Sequence, residues 1–525
     1  MGSTVSYRSW ERAELLAADL VWLVRLEWAT RVLYLSPQRE SAADPETGDV
    51  VTWRPGVDDF AWSESLDLFS LSPAVRSLTL TIRPHWLDVP QLIADREDLH
   101  QCKVQIYRHI RGGRSLLYFS GRVREYSFGP KGAPVEISID ANPWDDSGEL
   151  CAQTARVDST TWPNAAPKTD GEVYPIVIGQ PGMLSASSYV QAVPAYAVDS
   201  SNGYVLVAGH AVKASQVRLF QGSTTATGPV KHVSDGRGRL VSVADVNSGF
   251  SGITYDPNDV YRSSWTEGAG LVQEGGVAIR TAGEVLRWAV RQSTAPWDIV
   301  SVNVAARLLD AYQIDTSIVC SPSERLRPWD WLASQLLPLL PVSVHGTARG
   351  LGVHVWPLEE SPVASLTRGR EGVYRVGRVE SDDRTRLITE SAMRYGYDAD
   401  AKAYSQRVAA VSQTEEAVNG GSVHRALQVG RLRYGPGVSE AQTSDAIYSA
   451  ATAGAVVGWR AQELGRPAFF ASYGLEQQWG WLRLGDQVTI TDSEIGWSNR
   501  LAVIQGVEHS PGGRLTVALR VRDAA

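Results

Sequence analysis

The sequence predicts a mainly β, multi-domain protein with α+β parts, built from barrel- or sandwich-like modules. Apolar and polar residues alternate with period two in many short stretches. In 515–522, for example, Leu515, Val517, Leu519 and Val521 interleave with Thr516, Ala518, Arg520 and Arg522, the pattern of a half-buried strand. The 47 glycines and 26 prolines are spread along the chain rather than clustered, which suits short strands separated by turns. At 525 residues the chain is longer than one hydrophobic core serves, and the length allows roughly three to four domains.

Residues 1–149 read as a barrel-like N-terminal β domain. Trp22, Val24 and Leu26 alternate with Leu23, Arg25 and Glu27, and 30–36 follows as a second strand. Leu78, Leu80 and Ile82 alternate likewise, Val104 and Ile106 open another strand, 116–126 holds one or two more, and 135–140 is a final alternation. The spacing of Val89, Leu92, Ile93 and Leu99 predicts one helix inside this unit, over 87–99.

Residues 150–277 form a second β-rich module, with strands over 204–208, 215–221, 230–233 and 239–244 and loop over 245–275; Asp235, Gly236 and Gly238 shape a hairpin. The period changes near 278. Residues 278–372 read as an α+β module with helices over 282–292, 298–312 and 328–337, the second presenting Ile299, Val302, Ala306 and Leu309 on one face. A hairpin over 342–356 and a polar connection over 359–372 follow. Residues 373–525 form a C-terminal β domain with a strand over 387–397 and a polar arm over 400–425. Its long helix over 439–464 carries Ala450, Ala451, Ala453, Gly454, Ala455 and Gly458, too little bulk to do anything but pack closely on a sheet or another subunit. Gly485 and Asp486 then make a tight turn that sets Val488 and Ile490 on one face.

Composition excludes several functions. A net charge of −8 argues against a dedicated nucleic-acid or anionic-membrane surface, and no stretch approaches the roughly 20 apolar residues of a membrane span. Three separated cysteines (Cys102, Cys151, Cys320) form no CxxC; the odd, sparse set predicts no disulfide framework and fits synthesis in a reducing cytoplasm, with each thiol acting as a small buried hydrophobe. The 18 tryptophans either stack on sugars or fill the cores and seams of a β-rich assembly, and the second reading is preferred.

The search for chemistry assigns no catalytic, cofactor-binding or metal-ligating residue. Walker, HExxH, EF-hand and GxGxxG patterns are lacking. Residues 248–252 (SGFSG) have the wrong glycine spacing for a nucleophile elbow and no following helix. His345 and His354 flank one hairpin but lack a third ligand. The acidic pairs Asp58/Asp59, Asp145/Asp146, Asp382/Asp383 and Glu415/Glu416 place neighbours on opposite strand faces and read as solvated surface, as does the loop holding Asp398 and Asp400.

Five passages, in order, resemble the tail-tip hub (baseplate hub) proteins of siphophages and gene-transfer-agent-like phages. They are 21–27 (VWLVRLE) with 31–34 (RVLY), 61–69 (AWSESLDLF), 173–182 (VYPIVIGQPG), 327–337 (RPWDWLASQLL) with 350–357 (GLGVHVWP), and 485–492 (GDQVTITD). The resemblance implies a non-enzymatic virion protein without cofactor. It implies a homotrimer at the distal end of a tail, with tail-tube or distal-tail proteins above, fibre or tip proteins below and the tape measure protein as a further neighbour. Two β-modules in each of three copies would match a sixfold tube to a threefold tip. The chain lacks the long C-terminal extension of the largest tail-tip proteins and the cysteine cluster of hubs that hold an iron–sulfur centre. The alternative is a carbohydrate-binding or glycan-hydrolysing β-rich tail protein, resting on the tryptophans and scattered acids.

Overall fold

A computed structural model describes residues 20–522, apart from 67–76, 131–132, 142–145, 153, 267–276, 322, 324, 360, 382–386, 418–420 and 510–513. The molecule is mainly β and multi-domain. Its largest element is a 15-stranded sheet to which both the first and the last parts of the chain contribute.

The strand Leu20–Glu27 pairs with Val32–Ser36 on one side and Lys103–Ile110 on the other. Trp22, Val24 and Leu26 enter a core with Leu80, Ile106, Phe119 and Ile137. The opposite face is buried too, against the sequence expectation of a half-exposed strand. A hairpin of Glu40–Ala43 and Val50–Pro55 folds over it, and Ala42 and Trp53 cover Val21, Leu23 and Tyr107. Arg25 is therefore buried at the hairpin's edge, where it donates to Glu27 Oε2 at 2.7 Å, to Gln105 Oε1 at 2.9 Å and to Asp44 Oδ2 at 3.3 Å. Burial works against the Arg25 charge, but the hydrogen bonds and attraction from Glu27 and Asp44 outweigh it and raise the pKa. The single strand Ser115–Phe128 fills 116–126, and the helix inside the unit is short, Val89–Ala94, capped by Asp88.

The strand Val57–Ser65 continues the sheet by pairing with Trp497–His509, so N- and C-terminal strands join edge to edge. The closing strands then run through Leu515–Arg522 and Ala468–Leu475 to Tyr374–Ser381. The polar stretch expected as a connection over 359–372 contains the strand Ala364–Thr367, parallel to Gln487–Asp492; Leu366 supplies its single fully buried apolar side chain, too little to signal a strand in sequence.

A closed barrel runs Val193–Asp199, Tyr204–Ala208, Leu240–Asp245, Thr224–Ser234, Gln216–Gln221 and Tyr261–Trp265. The last of these lies in the stretch expected to be loop. It closes the barrel by pairing with both Val193–Asp199 and Gln216–Gln221, and it escapes notice because its buried residues include Ser263 and Ser264. The hairpin at Asp235 is as expected: Gly238 has φ +79°, and Asp235 Oδ1 accepts from Arg237 N and Arg239 N, both at 2.9 Å.

In the α+β region the helix Ala282–Gln292 matches its expected bounds, opened by a capping box in which Thr281 and Glu284 serve each other's backbone. The helix Ile299–Leu308 buries Val302, Ala305 and Ala306, but Ile299 is exposed rather than on the core face. The helix expected over 328–337 is α-helical only over Pro328–Trp331. It widens over Leu332–Leu336 and tightens over Leu337–Leu339, because Pro338 has no N–H to continue the ladder.

The last region departs most from expectation. The polar arm contains the strand Ala403–Val411, antiparallel to Ile388–Asp398, and the start of a helix, Arg425–Tyr434. The long helix begins at Ala450, capped by Ser449, not near 439; Val438–Thr443 is instead a strand parallel to Ile388–Asp398. Its alternating, partly exposed residues are strand-like, and the small residues start only beyond it.

The cysteine expectation is corrected as well. Cys151 and Cys320 form a disulfide across 169 residues, next to a backbone bond from Leu150 N to Leu326 O of 3.0 Å that holds the two segments together; Cys102 is free and buried. The separation hides the pairing in sequence. Of the tryptophans, Trp53, Trp265 and Trp356 are among the largest fully buried side chains.

Candidate functional site

The residues weighed for chemistry do not converge. Asp58 is exposed and ion-paired with Arg83 Nε at 2.6 Å, and Glu415 is exposed. Asp145, Asp382 and Asp383 lie outside the described residues. Asp146 is not solvated surface: it is 2 % exposed and accepts from the backbone N–H groups of Thr294 at 3.0 Å, Trp329 at 2.9 Å and Gly148 at 3.1 Å. Those donors satisfy a carboxylate that would otherwise be costly to bury, and they tie the segment at Asp146 to Thr294 and to the helix Pro328–Trp331. Ser248 sits in the one-turn helix Val246–Gly249 and donates its N–H to Asp245 at 3.2 Å. Asp398 caps its hairpin turn, accepting from Asp400 N and Ala401 N, both at 3.0 Å. His345 and His354 do not face each other, since they pair with Gly352 and Ser343 respectively. Among the described residues no three His, Cys, Asp or Glu side chains group as a metal site would need.

The arrangement is instead one of joints. His354 packs on the turn at Gly485, where φ is +81° and an added Cβ would lie 2.2 Å from the imidazole. Asp486 Oδ2 accepts from Arg483 N at 2.8 Å, and Ile504 N donates to Asp486 O at 2.9 Å, so the turn fixes the register of Val488 and Ile490 in the core. A second joint is ionic. Glu463, on the helix Ala450–Leu464, is 3 % exposed and accepts from Arg520 Nη1 at 2.8 Å and Trp356 Nε1 at 3.0 Å, with Arg522 Nη2 in ion-pair contact at 2.6 Å.

A third joint holds the passage 173–182 to the barrel. Val177 N donates to His210 Nε2 at 3.0 Å, which leaves Nδ1 to donate to Ala211 O at 3.0 Å. Burial holds this neutral imidazole's pKa down at about 4, against an ordinary value of 6.5. The unfolded chain therefore takes up the proton first as pH falls. The stabilisation is complete above pH 6.5 and is lost progressively toward pH 4. The residue is half-buried, so the loss is about 1–3 kcal/mol. Denaturant midpoints measured between pH 7.5 and 4.5 should fall with pH, and His210→Gln should flatten that dependence; equal slopes would remove His210 from the account.

Among the described residues, two helices present outward faces of small or apolar side chains. On the helix Ala450–Leu464, Ala451 and Ala455 are exposed, and added Cβ atoms at Gly454 and Gly458 would meet nothing within 4 Å. On the helix Ile299–Leu308, Val300, Val304 and Leu308 form an i, i+4, i+8 apolar stripe about half exposed.

No family model and no curated protein sequence matches the chain. Among solved structures it is similar to the tail protein from Neisseria meningitidis MC58, with 10% identity, a TM-score of 0.38 and coverage of 96% of each chain. It is similar also to the 43 kDa tail protein of prophage MuSo2 from Shewanella oneidensis, with 11% identity, a TM-score of 0.38 and coverage of 95% of this chain and 98% of that one. A chain of the native gene transfer agent virion shares 16% identity at a TM-score of 0.17, over 48% of this chain and 80% of its own length. At these scores the similarities are too distant to argue a role.

Proposed function

We propose that this chain is a non-enzymatic structural protein of a virion, the hub of a phage tail tip, assembled as a trimer in the host cytoplasm. It joins the tube or distal tail ring to tip proteins or fibres and closes the tube before DNA is ejected. The observation that supports this most is where the hub-like passages sit. Residues 21–27, 61–65 and 487–492 all lie in the one sheet that unites both ends of the chain, with the turn at 485–486 leading into the last of them. Residues 173–182 and 327–337 lead into the barrel and the helical region, and the former pairs with the strand Thr316–Ile318. Together they are spread over a jointed scaffold rather than lining one pocket. The barrel at 193–265 and the β unit at 20–141 would be the two modules that each copy offers to a sixfold ring.

The outward small-residue face of the helix Ala450–Leu464 then marks a subunit seam, because small side chains let a neighbour approach closely. Ala451→Trp and Ala455→Trp should leave unfolding free energy unchanged to within about 0.5 kcal/mol, as exposed substitutions do, yet block incorporation into tails. Incorporation at the normal level would remove this helix from the seam. The glycan-hydrolase alternative is tested by incubating the purified chain with polysaccharide: release of reducing ends, lost on substituting one Asp or Glu, would replace the structural reading.

A further inference from the structure

A cleft of about 690 Å³ opens where the barrel, the strand Thr316–Ile318, the helical region and the hairpin of Ile388–Asp398 and Ala403–Val411 meet. That volume suits a small molecule rather than a single water or ion. Its wall carries three carboxylates, of Glu172, Asp259 and Asp445, and two cations, of Lys168 and Arg262.

The hydrogen bonding of these groups is unequal. Asp259 Oδ2 accepts from Gln221 Nε2 at 2.6 Å, and Asp445 Oδ1 accepts from the Tyr404 hydroxyl at 2.7 Å. Each therefore keeps an oxygen with lone pairs to spare. Lys168 is engaged by the carbonyl of Asn258. Arg262 differs: among the described residues its Nε is buried without a hydrogen bond. The guanidinium borders the open cleft, where its terminal N–H groups can donate to a ligand oxygen.

The charge balance narrows what supplies it. Three carboxylates repel an anion, and the Lys168 and Arg262 side chains repel a cation. A neutral polyhydroxyl ligand meets both conditions, since each hydroxyl donates to a carboxylate oxygen and accepts from a guanidinium N–H. Ala195, Trp331 and Tyr397 add apolar wall for the C–H surface of a sugar ring. We propose that this cleft binds a short neutral oligosaccharide, with Arg262 as its central donor. The inference stands apart from the hub reading, since a structural protein of any particle could carry such a site.

The test titrates the full-length chain with cellotriose, maltotriose and chitotriose, with inorganic phosphate and a glutamate-containing tripeptide as charged comparisons, followed by calorimetry. At least one trisaccharide should saturate with a Kd on the order of 0.1–1 mM, and Arg262→Met should weaken it about tenfold or more, the cost of one charged hydrogen bond. Arg262 lies in a barrel strand, so a second variant guards against misfolding. Val319→Trp changes an exposed residue of the cleft wall and should abolish binding by filling the mouth. Failure of all three trisaccharides to bind, binding of phosphate or the tripeptide alone, or binding that survives both variants overturns the proposal.

Discussion

Glu463→Ala is expected to destabilise the protein by about 3–5 kcal/mol, the cost of removing one partner from a buried ion cluster. The side chains of Glu463 and Arg520 are 1% and 3% exposed, and Arg520 also donates to the Glu463 carbonyl at 3.1 Å. Without the carboxylate, Arg520 stays buried without its ion-pair partner, and Trp356 Nε1 loses its acceptor. The loss should fall on the seam between the helix Ala450–Leu464, the closing strand Leu515–Arg522 and the hairpin ending at Val355. Chemical denaturation measures the total, and amide exchange over 450–464 locates it. Replacing Glu463 and Arg520 together by Met should recover part of the loss, because it removes the buried Arg520 charge, while Trp356 Nε1 and Arg522 still lose Glu463. A loss below about 1 kcal/mol for Glu463→Ala would mean that water reaches the cluster and that the joint is weak.

Gly485→Val is expected to cost roughly 2–5 kcal/mol from two independent sources. The φ of +81° is one that a β-branched residue adopts only under strain, worth about 1–3 kcal/mol. The new side chain also enters the His354 ring, since Cβ alone would lie 2.2 Å from it, and such overpacking typically adds about 1–3 kcal/mol. The two parts separate: Gly485→Val combined with His354→Ala should relieve the collision and leave the strain. Tails carrying Gly485→Val should fail to assemble at normal yield. Wild-type stability in Gly485→Val would show that the turn does not set the register of Val488 and Ile490.

Periodicity made much of the fold legible. The alternation of Leu515 to Val521 and of Leu78 to Ile82 yielded strands, and helical spacing placed the helix Ala282–Gln292. What stayed hidden depends on distant partners. Tyr261–Trp265 is a strand because two barrel neighbours bond it, although its buried Ser263 and Ser264 carry no apolar signal. Leu20–Glu27 shows the alternation of a half-exposed strand, but the hairpin at 40–55 covers its second face. Ser439 and its neighbours adjoin a helix-forming run, yet pairing with Ile388–Asp398 draws them into a sheet. Cys151 with Cys320, Glu463 with Arg520 and Asp146 with the Trp329 N–H are joints between distant segments, which no local pattern encodes. Arg262 was equally silent, because its significance lies in the cleft that distant segments build beside it.

The central claim is that this chain is a scaffold occupying a fixed place in a tail, and copy number in the intact particle tests it most directly. A reconstruction of purified tails should place three copies around the tail axis at the distal end, with the helix Ala450–Leu464 at or near the contacts between them. Six or twelve copies in a ring, or particles of full infectivity that lack the chain, would contradict it.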